Sequence, residues 1–452
     1  MSFPSYPGYK HSGVELLGEF PDHWALKRFK NVFVERAERS TDGSEELLSV
    51  SAYFGIKPRS ETLDEGDHLS RAESLEGYKV CQAGDLVINI MLAWNRGLGF
   101  SWQRGIVSPA YCVFYVTDGS VPEFLDYLVR SDECIRYFKT HSAGIMDSRL
   151  RLYPESFGRL FTAIPPACEQ TQIARFLDHE TARIDALIEE QQRLIELLKE
   201  KRQAVISRTV TKGLDPTVPM KDSGVEWLGE VPAHWVVAGL KWYWSVTDCK
   251  HITAEFVDEG IPLASIREVQ SRYVALDNAK QTTEVFYRQL IEGGRELVAG
   301  DLIFSRNATV GEVAQVANWH PPFAMGQDVC VLKKQYEWLS SDYLQAVLRS
   351  PVVMVQLDNL MIGSTFKRVN VEDIRGIIVP MPPQGEQKII AEYLIQKTEM
   401  FNSMLGEAQN TIALLQERRS ALISAAVTGK IDVRGWQPPA SAPIPELVEE
   451  AV

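Results

Sequence analysis

Two long segments of the chain, 169–215 and 386–432, carry apolar residues at intervals of three and four, with charged residues between them. The apolar positions are Ile173, Leu177, Ile184, Leu187, Leu194 and Leu198 in the first segment, and Ile390, Leu394, Phe401, Met404, Ala408, Leu415 and Leu422 in the second. This spacing is typical of helices that pack against a partner along their length. A Pro-Pro pair precedes each segment, and Gly213 or Gly429 lies near its end, as expected at helix boundaries. The pattern predicts two helices of about 45 residues, each roughly 65 Å long at ~1.5 Å per residue.

The two segments belong to a duplication that covers most of the chain. The phrase SGVELLGEFPDHW at Ser12–Trp24 returns as SGVEWLGEVPAHW at Ser223–Trp235, and AGDLVINI at 83–90 matches AGDLIFSR at 299–306. The long segments align without a gap, and 19 of their 47 positions are identical. The stretches between these phrases have diverged much further. The repeat therefore predicts a shared frame that holds two related modules with different versions of one task.

Both diverged stretches mix strand-like and helix-like patterns. Runs rich in β-branched and aromatic residues predict strands at 85–91, 111–116, 301–306 and 328–334. Helices are predicted at 122–141 and 340–357, and basic and hydroxyl residues mark later loops at 144–157 and 363–374. Each module is thus expected to be a compact α+β domain. Trp24 and Trp235 are expected to anchor the repeated phrase by packing.

The duplication also predicts how the long helices pair. If a two-fold axis perpendicular to the helices relates the two halves, the helices run antiparallel and form a coiled coil. The expected fold class is α+β, with two pseudo-two-fold-related domains separated by an antiparallel pair of long helices. The predicted order along the chain is a first domain at 1–165, a central helix at 166–214, a second domain at 215–382, a C-terminal helix at 383–432 and a flexible tail at 433–452.

Composition narrows the class of protein. A hydrophobic fraction of 45% is enough for sizeable cores, and no apolar stretch reaches the length of a membrane span. The N-terminus lacks the pattern of a secretion signal, so we expect a cytoplasmic protein with no membrane partner. The six cysteines are scattered without a Cys-x-x-Cys pair, which disfavours a zinc site. The net charge of −13 means that any binding to nucleic acid needs local basic faces.

Sequence patterns for catalysis are weak. The Gly-Lys pair at 429–430 is followed by isoleucine rather than by the Ser or Thr of a phosphate-binding loop. The HPPF sequence at 320–323 is similar to the Asn/Asp-Pro-Pro-aromatic motif of adenine methyltransferases. A histidine replaces the residue that would hold the target amino group, which favours a simple proline turn. The DCK sequence at 248–250 has the Asp-x-Lys spacing of some nucleases without a convincing partner acid, and the eight histidines show no metal-ligand spacing. We therefore expect no catalysis, no bound cofactor and no metal in this chain alone.

The repeated phrases together resemble the specificity subunit of type I restriction–modification enzymes. The matching features are SGVE-LGE-P-HW, AGDL, PP-x-x-EQ and a long helix ending in an AVTG-like sequence, which are duplicated in the same order, and the GSTFKRV loop of the second module, where the first module has MDSRLRL. The resemblance extends from about Ser12 to Asp432. It implies two target-recognition domains that each read one half of a split double-stranded DNA sequence, spaced by an antiparallel coiled coil. It also implies that two methyltransferase (modification) subunits and the restriction (translocase) subunits dock on the chain, with S-adenosylmethionine bound by the methyltransferases.

DNA recognition by such domains needs side chains that read base edges. Arg and Lys hydrogen-bond to guanine, Asn and Gln hydrogen-bond to adenine, and phosphate contacts position the protein without specifying sequence. Because the two modules differ, the two half-sites should differ, which predicts an asymmetric split target. The candidates are Lys57, Arg59, Asn95, Arg96, Arg104, Arg149 and Arg151 in the first module, and Arg267, Arg306, Asn307, Gln327, Lys367, Arg368 and Asn370 in the second.

An ordinary solvated charge or a structural ion pair is the alternative for each candidate taken singly. The pairs Arg306-Asn307 and Lys367-Arg368 are favoured as contacts, because they follow a strand or lie in a glycine-hydroxyl loop, where functional residues collect. For the whole chain, the alternative is a coiled-coil scaffold that does not bind DNA, which the net acidity favours. Salt separates the two functions, since DNA binding weakens steeply with rising salt through counterion release. A self-contained nuclease is disfavoured by the missing motifs.

Overall fold

The computed structural model describes residues 3–14, 17–52, 54–62, 74–361 and 368–438. The chain divides into two compact units, of which the first comprises Met1–Gln191 with Asn410–Val452 and the second comprises Gln192–Gln409. The first unit is therefore discontinuous in sequence, whereas the second is continuous. Each of the two long helices contributes one half to each unit.

The first unit is built on an antiparallel four-stranded sheet whose strands lie in the order Phe33–Glu35, Tyr111–Val116, Asp85–Asn89 and Leu98–Ser101. Its strands are β1 Tyr9–His11, β2 Glu19–Pro21, β3 Ala25–Arg28, β4 Phe33–Glu35, β5 Leu48–Ser51, β6 Gly55–Pro58, β7 Lys79–Cys81, β8 Asp85–Asn89, β9 Leu98–Ser101, β10 Gly105–Val107, β11 Tyr111–Val116 and β12 Phe161–Ile164. Its helices are α1 Pro122–Arg130, α2 Asp132–Thr140, α3 Pro154–Arg159 and the first half of α4 Ala167–Lys212. Strands β1–β2, β3–β12, β5–β6 and β7–β10 form separate antiparallel pairs. The sheet presents one apolar face to α1–α3, because side chains alternate along its strands.

The core of the first unit joins this sheet to the long helices. Phe29 stacks on Phe157 with ring centroids 4.7 Å apart, and both belong to one buried cluster that also contains Phe176 of α4 and Val427 of the C-terminal helix. Farther along the helices, Arg419 Nε donates a hydrogen bond of 2.9 Å to Asp185 Oδ1. Later residues of α4 thus face earlier residues of the C-terminal helix. The two helix halves run antiparallel within this unit.

The second unit contains a sheet of equivalent order, whose strands are Trp244–Asp248, Val329–Lys334, Leu302–Ser305 and Val313–Gln315. Its strands are β13 Met220–Asp222, β14 Glu230–Pro232, β15 Val236–Gly239, β16 Trp244–Asp248, β17 Phe256–Val257, β18 Ile261–Ala264, β19 Gln281–Thr282, β20 Leu302–Ser305, β21 Val313–Gln315, β22 Ala324–Met325, β23 Val329–Lys334 and β24 Ile378–Met381. Its helices are α5 Glu284–Ile291, α6 Ser341–Leu348, α7 Pro351–Leu360, α8 Val371–Gly376 and the first half of α9 Gln384–Val427. A further sheet, β17-β19-β18-β22, is the main addition to the frame that both units share.

The long helices also run antiparallel within the second unit. Leu198 of α4 packs against Phe401 and Leu405 of α9, and Arg202 Nη1 donates a hydrogen bond of 2.9 Å to Asn402 Oδ1. Apolar residues at heptad-like positions make these contacts, as the sequence pattern predicts. The structure therefore has the predicted mixture of strands and helices, and its long helices fit a coiled-coil element.

The repeated phrase forms a joint at the start of each long helix. In the first unit Glu169 is buried and accepts hydrogen bonds from Trp24 Nε1 at 2.9 Å and Tyr6 Oη at 2.6 Å, with His23 Nε2 2.7 Å away. In the second unit His234 Nε2 lies 2.8 Å from Glu386 Oε2. Both tryptophans are buried, which confirms the predicted packing role.

Three sequence predictions need correction. The helix predicted at 122–141 is two helices, because Ser131 caps α2 by accepting a hydrogen bond from Cys134 N. The helix predicted at 340–357 likewise breaks before Pro351. A separate helix, α7, begins at Pro351 and continues to Leu360. The tail predicted from 433 starts too early, because Val433 is buried and Trp436 packs on Phe176. The remainder of that tail, 439–452, lies outside the described residues. None of the helices described is long and apolar enough to cross a membrane.

Candidate nucleic-acid interface

In the first unit, two loops meet beside the end of β8. The loop 90–97 joins β8 to β9, and the loop 141–153 joins α2 to α3. Leu152 N donates a hydrogen bond of 2.9 Å to Ile90 O, and Ala143 and Arg151 exchange two backbone hydrogen bonds of 2.9 Å. We call residues 91–96 and 143–151 the first loop surface. It brings together four of the predicted candidates: Asn95, Arg96, Arg149 and Arg151.

The four candidates of the first loop surface have different environments. Asn95 and Arg149 are exposed and available to a ligand. Arg96 instead fastens the loop, since its Nη1 donates to Arg130 O at 2.7 Å and its Nη2 pairs with Asp132. It also has a left-handed backbone with φ 59°, which is uncommon for a residue other than glycine. Arg151 is half-buried and donates from Nη1 to the carbonyl of Leu150 at 2.8 Å. Arg96 therefore has a structural role in this loop, and its predicted DNA contact stays a prediction.

Exposed apolar side chains surround these polar groups, and the sequence search for cations missed them. Met91, Leu92, Ile145 and Met146 are exposed. Lys139 at the end of α2 lies 5.3 Å from the ring centroid of Trp94 and forms an ion pair of 2.9 Å with Asp147. An apolar run at a strand-to-loop junction is the sequence signal that could have found them. Such side chains suit the methyl group that thymine presents in the major groove. The side chain of Ser148 is not described.

Three further candidates of the first unit lie elsewhere. Lys57 is exposed on β6 with its Nζ 5.7 Å from the ring centroid of Phe54. Arg59 follows the same strand and is half-buried. Arg104 is exposed and pairs with two acids, Glu38 at 3.2 Å and Glu45 at 3.5 Å. These partners neutralise Arg104, so it is the weaker candidate of the three.

The second unit repeats the arrangement of two loops at the equivalent strand. Val369 N donates a hydrogen bond of 3.0 Å to Arg306 O at the end of β20, and Asn307 forms an isolated antiparallel bridge with Arg368. We call residues 307–311 and 368–370 the second loop surface. Arg368 and Asn370 are exposed, and Asn307 is half-buried with its Oδ1 accepting from Ala308 N at 2.9 Å. Lys367 lies outside the described residues.

Arg306 differs from the sequence prediction. Its side chain is only 3% exposed, and its Nη2 lies 2.7 Å from Asp248 Oδ1. A guanidinium in this position does not face solvent, so Arg306 is not a surface DNA contact in this structure. The sequence could not show this, because Asp248 lies on another strand of the sheet.

The remaining candidates, Arg267 and Gln327, are exposed and line one cavity of about 710 Å³ in the second unit. The buried side chains of Leu263, Leu290 and Met325 also line it. The sequence search missed Lys280 at the same cavity, whose Nζ lies 4.2 Å from the ring centroid of the exposed Phe256. The cavity combines an apolar lining with separate cationic and amide groups. These are the chemical features that base recognition needs.

Other sites considered from the sequence have structural roles. His320 of the HPPF sequence accepts a hydrogen bond of 3.1 Å from Ala317 N through its Nδ1, and burial lowers the pKa of its ring. Cys112 is buried in a strand, and burial raises the pKa of its thiol to about 11. Asp248, Cys249 and His251 lie close enough together to hold a metal ion. The ion pair with Arg306 already neutralises the Asp248 carboxylate of this group.

The comparisons with known proteins agree on one family. A family model described as type I restriction modification DNA specificity domain matches residues 292–412. The type I restriction enzyme MjaVIII specificity subunit of Methanocaldococcus jannaschii is 23% identical over 77% of this chain and 81% of its own length.

Two solved structures share the fold. A chain from a structural study of complex assembly and conformational transition in a type I R-M system has a TM-score of 0.66 at 16% identity, covering 90% of this chain and 98% of that chain. The HsdS subunit from Thermoanaerobacter tengcongensis has a TM-score of 0.56 at 17% identity, covering 93% and 100%. The predicted non-catalytic class agrees with the specificity-subunit names of the relatives. The chain is thus similar to type I restriction enzyme specificity subunits over most of its length, and residues 292–412 match the family model of their DNA specificity domain.

Proposed function

We propose that this chain selects the DNA target of a type I restriction–modification complex. Each unit reads one half of a split, asymmetric sequence through its own loop surface. One observation carries this proposal: the same pair of loops meets at the equivalent strand end in both units, with different exposed side chains. Leu152 N to Ile90 O and Val369 N to Arg306 O are the equivalent hydrogen bonds. A repeated frame with different reading groups is what recognition of two different half-sites requires.

The side chains of the two surfaces suit different bases. Asn95 and Arg149 in the first unit offer an amide and a guanidinium beside exposed apolar groups, which match adenine, guanine and the methyl group of thymine. Arg368 and Asn370 in the second unit offer a guanidinium and an amide. The 710 Å³ cavity of the same unit adds the guanidinium of Arg267 and the amide of Gln327. With a net charge of −13, binding depends on local exposed cations such as Arg149, Arg267 and Arg368.

The partners proposed here follow the family. Two methyltransferase subunits, which bind S-adenosylmethionine, and the restriction subunits would dock on the chain and act at the DNA that it selects, in the cytoplasm. Exposed apolar residues on the long helices support a docking role. Leu194, Leu197, Met400 and Met404 in the second unit are exposed although they lie on helices. Helices that expose such residues commonly bury them against a partner.

The test is methylation mapping of DNA from cells that express this chain with its methyltransferase partner, compared with the partner alone. The proposal requires a split asymmetric motif that depends on this chain. The variant Asn95→Ala/Arg149→Ala should weaken discrimination in one half-site, and Arg368→Ala/Asn370→Ala should weaken it in the other. We expect losses of about 10- to 100-fold for base contacts of this kind.

The matched controls are Lys30→Ala and Lys241→Ala. Both lysines are exposed in equivalent short helical turns, Phe29–Asn31 and Leu240–Trp242, away from the loop surfaces. They should leave both half-sites unchanged. If the chain co-purifies with the methyltransferase but no motif depends on it, the scaffold function replaces this proposal. DNA binding that is insensitive to salt would point the same way.

A further inference from the structure

An ion pair between the buried Arg306 and the half-buried Asp248 lies next to the second loop surface. Arg306 follows β20 and Asp248 ends β16, on opposite sides of the central strand β23. Asp248 pairs with Cys330 and Ser305 pairs with Val329, so both charged residues reach the same end of this sheet. Arg306 Nη2 lies 2.7 Å from Asp248 Oδ1, and His251 Nε2 lies 3.3 Å from the other carboxylate oxygen.

The backbone of Arg306 connects three segments of the second unit. Its N–H donates to Asp328 O at 2.9 Å, and its carbonyl accepts from Val369 N at 3.0 Å. Its neighbour Asn307 bridges to Arg368. The side chain adds the connection to β16 through Asp248. A displacement of Arg306 would therefore be transmitted to Asn307 and to residues 368–370 together.

The first unit makes the same backbone connection without a charge. Ile90 stands at the position of Arg306 in the AGDL repeat, accepts the equivalent hydrogen bond from Leu152 N, and packs against the core. The shared frame therefore does not need an arginine there. Burying a guanidinium, as at Arg306, is costly unless its hydrogen bonds are complete. Arg306 Nε has no hydrogen-bond partner among the described residues, and the contact with Asp248 is close but poorly aligned for a hydrogen bond. Stability alone does not explain this pair.

We propose that Arg306 and Asp248 form a positioning pair that sets the half-site preference of the second unit. The pair contacts no DNA itself. It holds the end of β20 so that Asn307, Arg368 and Asn370 present their polar groups in one fixed arrangement. This inference rests on the proposed DNA-reading function and adds a specificity-determining position to it.

The test compares three variants in the full chain with its methyltransferase partner. Arg306→Ile installs the residue of the first unit, Arg306→Lys keeps the charge, and Arg306→Ile/Asp248→Ala removes both charges. The single variant Arg306→Ile could unfold the second unit, because it removes the cationic partner of Asp248. The double variant removes both charges, so the proposal can still be tested in that case. Binding is measured to the mapped target and to targets with single changes in each half-site, over a range of salt concentrations. Hydrogen exchange of the second unit confirms that each variant is folded.

We expect the double variant to lose about tenfold in discrimination at the second half-site while the first half-site is unchanged. Arg306→Lys should recover part of this loss. The salt dependence of binding should stay the same, because a positioning residue contributes no phosphate contact. Unchanged discrimination in a folded double variant would overturn the proposal, and so would a reduction of about one in the salt slope, which marks a direct phosphate contact. Absence of any chain-dependent motif with the unmodified chain would instead refute the proposed function.

Discussion

The equivalent tryptophans of the two joints allow the energy of one hydrogen bond to be measured within a single chain. Trp24 and Trp235 occupy equivalent positions in the repeated phrase and are 1% and 0% exposed. Trp24 Nε1 donates to Glu169 Oε1, whereas Trp235 Nε1 has no hydrogen-bond partner among the described residues. Replacing each tryptophan by phenylalanine removes a similar volume from a buried site. The two substitutions differ mainly in the fate of the indole N–H.

The expected difference in destabilisation between the two variants follows from the usual energies of hydrogen bonds and of unpaired buried polar groups. A lost hydrogen bond to a charged group costs about 1.5–3 kcal/mol, and a buried polar group without a partner carries a penalty of about 1–3 kcal/mol. Trp24→Phe loses a hydrogen bond to a charged group, whereas Trp235→Phe removes the penalty of a buried N–H without a partner. Glu169 keeps its hydrogen bond from Tyr6 and its contact with His23, so its carboxylate is not left without partners. We expect Trp24→Phe to be more destabilising than Trp235→Phe by at least about 2 kcal/mol.

Hydrogen exchange with peptide resolution is the appropriate assay, because the two units can be followed separately. Each variant is compared with the unmodified chain, and the opening free energy is obtained for core peptides of the substituted unit. The other unit in the same sample is the internal control and should not change. Equal destabilisation within about 0.5 kcal/mol, or a larger effect of Trp235→Phe, would refute the hydrogen-bond reasoning.

Three other predictions concern the thiols, the C-terminal contact and the helix pair. A thiol reagent should modify one of the six cysteines quickly in the folded chain, because Cys168 is exposed and the other five are buried; modification of two or more at that rate would contradict the described burial. The hydrogen bond from Arg434 holds the pKa of Asp432 below its usual range, so this contact is fully formed above the ordinary aspartate pKa and is lost as pH falls through the lowered value. The protection factors of amides around Trp436, which are corrected for the intrinsic pH dependence of exchange, should therefore fall at acidic pH in the unmodified chain, and an Asp432→Asn variant should show a smaller pH dependence. Deleting one heptad from both long helices should shorten the tolerated spacer by roughly three base pairs, at ~1.5 Å per residue and ~3.4 Å per base pair, and methylation mapping should show unchanged half-site sequences.

Much of the fold was predictable because its signals are local. The strand predicted at 111–116 coincides with β11, and the heptad-like apolar residues lie on α4 and α9. Gly213 directly follows the end of α4 and Gly429 lies two residues after the end of α9, and their φ values of 70° and 73° are left-handed and easily adopted by glycine. The breaks at Ser131 and Pro351 were missed because a continuous apolar pattern outweighed single capping signals.

The candidate site was less predictable because burial depends on contacts that are distant in sequence. Arg306 looked like a surface contact after a strand, but Asp248 reaches it from beyond β23. Arg96 looked similar, but Asp132 and the carbonyl of Arg130 hold it. The loop predicted at 144–157 runs into α3 at Pro154, and the described part of the loop predicted at 363–374 runs into α8 at Val371, while 363–367 lies outside the described residues. The sequence did not show which cations of these segments face solvent. The three-dimensional neighbours decide that, and no local pattern encodes them.

The discontinuity of the first unit has a consequence for synthesis of the chain on the ribosome. Ala426, Val427 and Val433 are buried in the same core as Phe29 and Trp24, and Asp432 N donates a hydrogen bond to Pro4 O. This core therefore stays incomplete while all of Gln192–Gln409 is translated, a delay of about 10–40 s at ~5–20 residues per second. The second unit has its own segments in continuous order and can fold earlier. A nascent chain that stops early would expose the unfinished apolar core of its N-terminal part, so chaperones and proteases can distinguish truncated products from finished ones.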